Sequence, residues 1–192
     1  MTRIDYFRFL TKLLDEHELT LSVDEIGSRI YNCILSGNSI WILGNGGSAS
    51  TAEHLETDIS FIKHENLILK IKATALTANS ALISAVANDI GFENIFSHQL
   101  QRKAERGDLC IVISASGNSL NLINATNVAK QMGLTTIGLL GFNGGKLAGL
   151  LDFAIIIETE TGQYGPVEDM HLAICHAVSE NLLGKLRVIK NV

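Results

Sequence analysis

The chain has 192 residues, 46% hydrophobic and 18% charged, with 15 basic against 20 acidic side chains for a formal charge of -5. That length and apolar content suit one domain with a substantial core and leave no sign of disorder. The negative balance, without any Lys/Arg cluster, argues against a nucleic-acid groove, and no apolar run is long enough to cross a bilayer.

The opening Met1-Thr2-Arg3-Ile4-Asp5 lacks the basic-then-apolar order of a signal peptide, so a soluble cytoplasmic chain is expected. Cys33, Cys110 and Cys175 lie inside apolar patterns and are odd in number, which favours buried free thiols over disulfides. Phe7, Leu10, Leu13 and Leu14 recur at helical spacing in residues 4–16, as do Ile26, Ile30 and Ile34 in 23–35. Two leading helices follow from that periodicity.

Ile40, Trp41, Ile42 and Leu43 then read as a buried strand, and Gly44-Asn45-Gly46-Gly47 as a tight loop that exposes backbone N–H groups before a helix from Ser48. On that helix His54 and Asp58 are four residues apart and share a face. Taken alone, that pair reads more readily as a solvated ion pair. The string Gly44-Asn45-Gly46-Gly47-Ser48-Ala49 also fits a dinucleotide fingerprint, but the second strand, residues 67–75, ends Lys72-Ala73-Thr74-Ala75 without the acid that would hold a ribose. No nucleotide cofactor is expected.

Helical stretches follow at 80–86 and 95–103, with Asn88-Asp89 suited to a turn leading into Gly91, and then a strand at 109–113. Ser114-Ala115-Ser116-Gly117-Asn118-Ser119 comes next, ahead of a helix over 120–131. Hydroxyls and backbone donors at a helix N-terminus cradle a phosphate well; capping explains one or two such positions but not six in a row. Gly141-Phe142-Asn143-Gly144-Gly145-Lys146 imitates a nucleotide phosphate loop but is one residue short and is followed by Leu147, so it is assigned to turn formation.

Strands at 135–140 and 153–157 and a closing helix at 167–186, with Pro166 at its start, complete the chain. Uniformly apolar strands alternating with helices imply an α/β doubly wound fold: a mostly parallel five-stranded sheet flanked by helices, in one domain over residues 1–192. Glu168 falls in the first turn of the closing helix, where the dipole stabilises a carboxylate whatever its role. His171 and His176 are about 140° apart on that helix; His176 is the candidate for chemistry and His171 for a supporting or structural place. His64 and His98 show no partner in the sequence.

The set formed by the glycine loop with His54, Asn88-Asp89, the Ser114–Ser119 loop, Glu168-Asp169-x-His171 and His176 resembles the sugar isomerase (SIS) domain family. Within it the resemblance is to the phosphoheptose isomerases, over nearly the whole chain. It implies an aldose-ketose isomerase, most simply one converting sedoheptulose 7-phosphate into glycero-manno-heptose 7-phosphate through an enediol. It also implies zinc as cofactor and a homotetramer with sites near subunit boundaries. By position, Asn45, Gly46, Gly47, Ser48, Asn88, Asp89, Ser114, Ala115, Ser116, Ser119 and Glu168 would bind substrate. His54, Asp58, Glu168 and His176 would hold the metal, with Asp58, Glu168 and His176 as the catalytic candidates.

The chain departs from the family pattern at three places: Asp58 replaces a glutamate, Glu168 a glutamine and Ile62 an arginine. Aspartate is shorter by one methylene, about 1.5 Å of reach, enough to misplace a general base. Isomerases of other sugar phosphates, regulators that only bind them, and a replication-initiator-binding scaffold share the fold. The scaffold group lacks the final histidine, which this chain keeps.

Overall fold

The computed structural model describes residues 3–15, 17–62 and 70–188. In chain order the elements are α1 (Arg3–Leu14), α2 (His17–Leu35), β1 (Ser39–Gly44), α3 (Gly47–Ser60), β2 (Lys72–Ala75) and α4 (Ser80–Asp89). They continue with α5 (Ser97–Lys103), β3 (Leu109–Ser114), α6 (Leu120–Met132), β4 (Thr135–Gly141), β5 (Phe153–Ile157) and α7 (Tyr164–Arg187).

The five strands form one parallel sheet in the order β2-β1-β3-β4-β5. β1 and β3 lie side by side, with Ile40 opposite Leu109 and Gly44 opposite Ile113. The chain leaves β1 for β2 on one side and returns to β3 on the other, so the crossovers diverge between these two strands. Ligands of open α/β sheets bind at such a switch point, beyond the carboxyl ends of the strands.

Alternate strand residues feed two apolar layers, which is why the strands read as apolar throughout. Ile40, Ile42, Ile111, Ile113, Ile137 and Leu139 pack with Ile26, Ile30 and Ile34 of α2, Leu55 and Ile59 of α3, and Ile174 and Val178 of α7. Trp41, Leu43, Cys110, Val112 and Leu140 face Val86, Leu100, Leu122, Ala125 and Ala129 of α4, α5 and α6. The fold class expected from the sequence therefore stands, with helices on both faces.

Several boundaries move. α2 begins at His17 rather than near Val23, because Leu19 extends its apolar stripe onto the core. α3 takes in Gly47, and α4 runs past Val86 through Asn88 and Asp89, which form the C-terminal turn of the helix ahead of Gly91. A short helical turn, Phe92–Asn94, precedes α5, which starts at Ser97. α7 begins at Tyr164, three residues earlier than expected; Pro166 then occupies the first turn, where its missing N–H would have had no helical partner anyway. β2 is limited to four residues, and the part of the expected strand at 67–69, like Glu16, Lys63 and His64, lies outside the described residues.

Cys33, Cys110 and Cys175 are buried and free, as expected. Burial pushes the Cys110 thiol up to about 12, and Cys175 likewise to about 12, with the Asp58 charge adding to burial. Such thiols are poor nucleophiles.

Candidate functional site

The loops after β1 and β3 meet at the switch point. Gly46 caps α3 in a positive-φ conformation, φ 57°, that glycine adopts at no steric cost, and no side chain caps that helix. Asn45, at the end of β1, reaches across to Asn121, the second residue of α6. Asn45 Nδ2 donates to Asn121 Oδ1 at 3.0 Å and Asn121 Nδ2 donates back to Asn45 Oδ1 at 2.9 Å. A reciprocal amide pair thus ties one loop to the other.

The serine loop is shaped largely by its own groups. Ser114 Oγ accepts from the Gly117 N–H at 3.1 Å, and Ser116 Oγ from the Asn118 N–H at 3.3 Å. Ser119 stands at the N-cap position of α6, yet its hydroxyl makes no capping bond. Capping therefore does not account for Ser119. Ser114 and Ala115 are buried while Ser116 and Ser119 are partly exposed. Ser48 is buried, with its Cβ 2.9 Å from where a side chain on Gly44 would begin.

The glycine-rich stretch after β4 is a turn, with the Gly144 N–H donating to Gly141 O at 2.8 Å, but it does more than turn. The Leu147 N–H donates to Gly117 O at 3.0 Å and the Lys146 N–H to Asn118 Oδ1 at 3.1 Å. A methyl on Gly117, whose φ is +61°, would sit 1.9 Å from Gly144 O. Three loops are stacked at the carboxyl edge, and the third braces the second.

Below the loops, α3 and α7 run alongside each other on one face of the sheet. His54 Nε2 and His176 Nε2 face one another at 2.9 Å although they are 122 positions apart in the chain. Asp58 Oδ2 lies 3.5 Å from His54 Nε2. One donor atom from each of His54, Asp58 and His176 falls within 4.8 Å of the others. The cluster is open to solvent, with the His54 side chain 45% and the Asp58 side chain 27% exposed. A groove of about 330 Å³ continues from it, lined by Phe61, Ile62, Ser179 and Leu183 among others.

Glu168 stands apart from that trio. Its carboxylate rests on Gly47, where an added Cβ would come within 2.7 Å of the carboxyl atoms. The eight residues from Glu168 to His176 rise about 12 Å along a helix, and Glu168 is accordingly placed at the glycine loop and outside the three-residue group. Beside it, Tyr6 Oη donates to Asp169 Oδ2 at 2.5 Å. Burial, followed by that bond and by the charges of Asp169 and Glu168, pushes the Tyr6 phenol up to about 12.

His171 is fully buried, and its Nε2 lies 3.0 Å from Leu140 O. The carbonyl can only accept, so Nε2 carries the proton and Nδ1 faces the core without a partner. Burial pulls its pKa down to about 4. The structural place read for His171 fits this. Asn88 and Asp89 end α4 exposed, Asn88 Nδ2 donating to Asp89 Oδ1 at 2.7 Å, and the next turn is held on α6 by Asn124 Nδ2 donating to Glu93 O at 3.1 Å. Asn121 and the brace from the third loop went unread in the sequence. An asparagine among the apolar positions of α6 was the one available signal.

The fold and this site define a SIS-domain protein: the family model described as SIS domain matches residues 5–141, and the chain belongs to that family. Within it, the similarity is to phosphoheptose isomerases. That of Trichlorobacter lovleyi is 39% identical over 189 residues, covering 92% of this chain and 95% of its relative. That of Fusobacterium nucleatum is 36% identical, covering 92% of this chain and 89% of its relative. Among solved structures, phosphoheptose isomerase from Francisella tularensis superposes with a TM-score of 0.83 at 26% identity, over 95% of this chain and 98% of that one. The Neisseria gonorrhoeae enzyme gives 0.80 at 28% identity over 93% of each chain.

Proposed function

We propose that the chain is an aldose-ketose isomerase of a phosphorylated sugar, with sedoheptulose 7-phosphate as the substrate its relatives point to. The observation that carries the mechanism is the meeting of His54, Asp58 and His176 on the face below two ligand loops. The Ser116 and Ser119 hydroxyls and the first-turn N–H groups of α6 suit the phosphate. The glycine loop, with Asn45, suits the sugar hydroxyls.

Two imidazole nitrogens and a carboxylate oxygen make a donor set for zinc. Donors on a tetrahedral zinc with bonds of about 2.0–2.1 Å stand roughly 3.3 Å apart, and the facing Nε2 atoms at 2.9 Å need open by only a few tenths of an ångström. A bound divalent ion supplies positive charge to the carbonyl and hydroxyl oxygens of the reacting sugar carbons.

Asp58 and His176, candidates for proton transfer by sequence, act here as donors alongside His54. Glu168 is the carboxylate left for proton transfer, beside the loop that receives the sugar. It takes a proton from the carbon next to the ketose carbonyl and returns one to the former carbonyl carbon, while in the enediol between them the proton on the old hydroxyl oxygen passes to the old carbonyl oxygen. Glu168 is the fifth residue of α7, past the first turn in which the sequence placed it.

Incubation with sedoheptulose 7-phosphate, with and without a chelator, tests the reading: aldose should form, stop on chelation and resume with added zinc. Tight binding of the sugar phosphate without turnover would make the protein a regulator instead. His176→Gln should lower zinc affinity and turnover together by orders of magnitude. Glu168→Gln should abolish turnover while leaving zinc affinity intact; an active Glu168→Gln enzyme would place the base elsewhere.

The open cluster and the groove beside it leave room for a neighbouring subunit to complete the site, which suits the homotetramer implied by the family resemblance. Sedimentation or light scattering on the purified protein reads the subunit number directly.

A further inference from the structure

We propose that Asn121 is a positioning residue for the sugar-phosphate site, holding Asn45 and the glycine loop in register with the serine loop. The two amides exchange both hydrogen bonds, at 3.0 and 2.9 Å, and so close a planar ring in which each group has one donor and one acceptor satisfied. Asn121 is only 2% exposed and belongs to α6, a rigid element, whereas Asn45 lies in the loop. The buried partner therefore dictates the orientation of the exposed one. Asn45 is left with one N–H and one lone pair, and the ring fixes where they point.

Asn121 touches no ligand in this scheme and acts through Asn45. The proposal rests on the sugar-phosphate reading only for what the loops bind, so binding and turnover are measured separately. The informative variant is Asn121→Asp, which keeps the side chain's size. As a carboxylate it accepts from the Asn45 amide but cannot donate back. As a carboxylic acid it restores both bonds, O–H to the Asn45 oxygen and C=O from the Asn45 nitrogen. Burial raises the pKa of such an acid, which brings this switch toward the accessible range.

Calorimetric titration with sedoheptulose 7-phosphate, and separately with inorganic phosphate, gives the dissociation constants at pH 8 and pH 5.5. Relative to wild type at the same pH, Asn121→Asp should bind sedoheptulose 7-phosphate at least tenfold more weakly at pH 8. That deficit should shrink at least threefold at pH 5.5, while Asn121→Leu stays equally impaired at both. In turnover, KM should rise with kcat changed by less than about threefold. A role confined to stability would instead lower kcat through fewer folded molecules and leave KM alone. Wild-type affinity in Asn121→Asp at pH 8, or a deficit with the same size at both pH values, overturns the proposal. A wild-type protein that binds the sugar phosphate without isomerising it would overturn the isomerase reading and leave this one standing.

Discussion

His171 illustrates how a buried imidazole can be read as structure rather than chemistry. Its Nε2–H is spent on Leu140 O and its Nδ1 is sealed in the core, so the folded protein holds it neutral down to about pH 4. The unfolded chain protonates it near 6.5, and between those values the unfolded state binds a proton that the folded state refuses. Stability should therefore fall as pH drops from 6.5 toward 4, by roughly 3 kcal/mol from this residue. Urea melts of wild type and His171→Gln at pH 7 and pH 4.5 measure it: the substitution should cut the acid-side loss, though it costs stability at pH 7. Glu168 is the contrasting case, a partly exposed carboxylate that rests on the glycine loop and is the proposed base.

The junction of α3 with α7 depends on one missing methyl group. Gly47→Ala would place a Cβ 2.7 Å from the Glu168 carboxyl, the mobile end of a side chain, so the fold can yield there. Alanine also propagates a helix better than glycine. Thermal stability should be nearly unchanged while turnover falls at least tenfold, because the displaced group is the proposed base. Gly117→Ala is the opposite test. Its Cβ meets backbone, at 1.9 Å, in a left-handed conformation, and should cost at least about 2 kcal/mol and weaken phosphate binding.

The strands and most helices were legible because apolar runs and 3.6-residue stripes are local signals. The pairing of His54 with His176 was legible only because the whole motif set resembles a known family; spacing alone favoured an exposed ion pair of His54 with Asp58. The separation of Glu168 from that pair was not legible, since residues eight apart on a helix share a side but not a level. Nor was the amide pair, whose partners lie 76 positions apart.

At the scale of the whole molecule, five parallel strands set two polar loops at one edge, and helices α3 and α7, far apart in the chain, set the imidazoles beneath them. Exposed apolar side chains include Phe7 on α1, 69% exposed, and Phe61 just after α3, 68% exposed. Exposed groups of that kind suit contacts between copies. If neighbouring subunits cover the α3–α7 groove, Leu183→Glu, inside it, should lower the subunit number and the turnover together.

The bridge between His54 and His176 has a consequence beyond catalysis. A cation gripped by both would act as a removable rivet between the first third of the polypeptide and its last long helix. Since it would bind the native state and scarcely the unfolded one, zinc should raise the melting temperature in proportion to the logarithm of its free concentration. It should also slow amide hydrogen exchange along the second half of α7 more than in the helices on the far face of the sheet, a readout that needs no substrate at all.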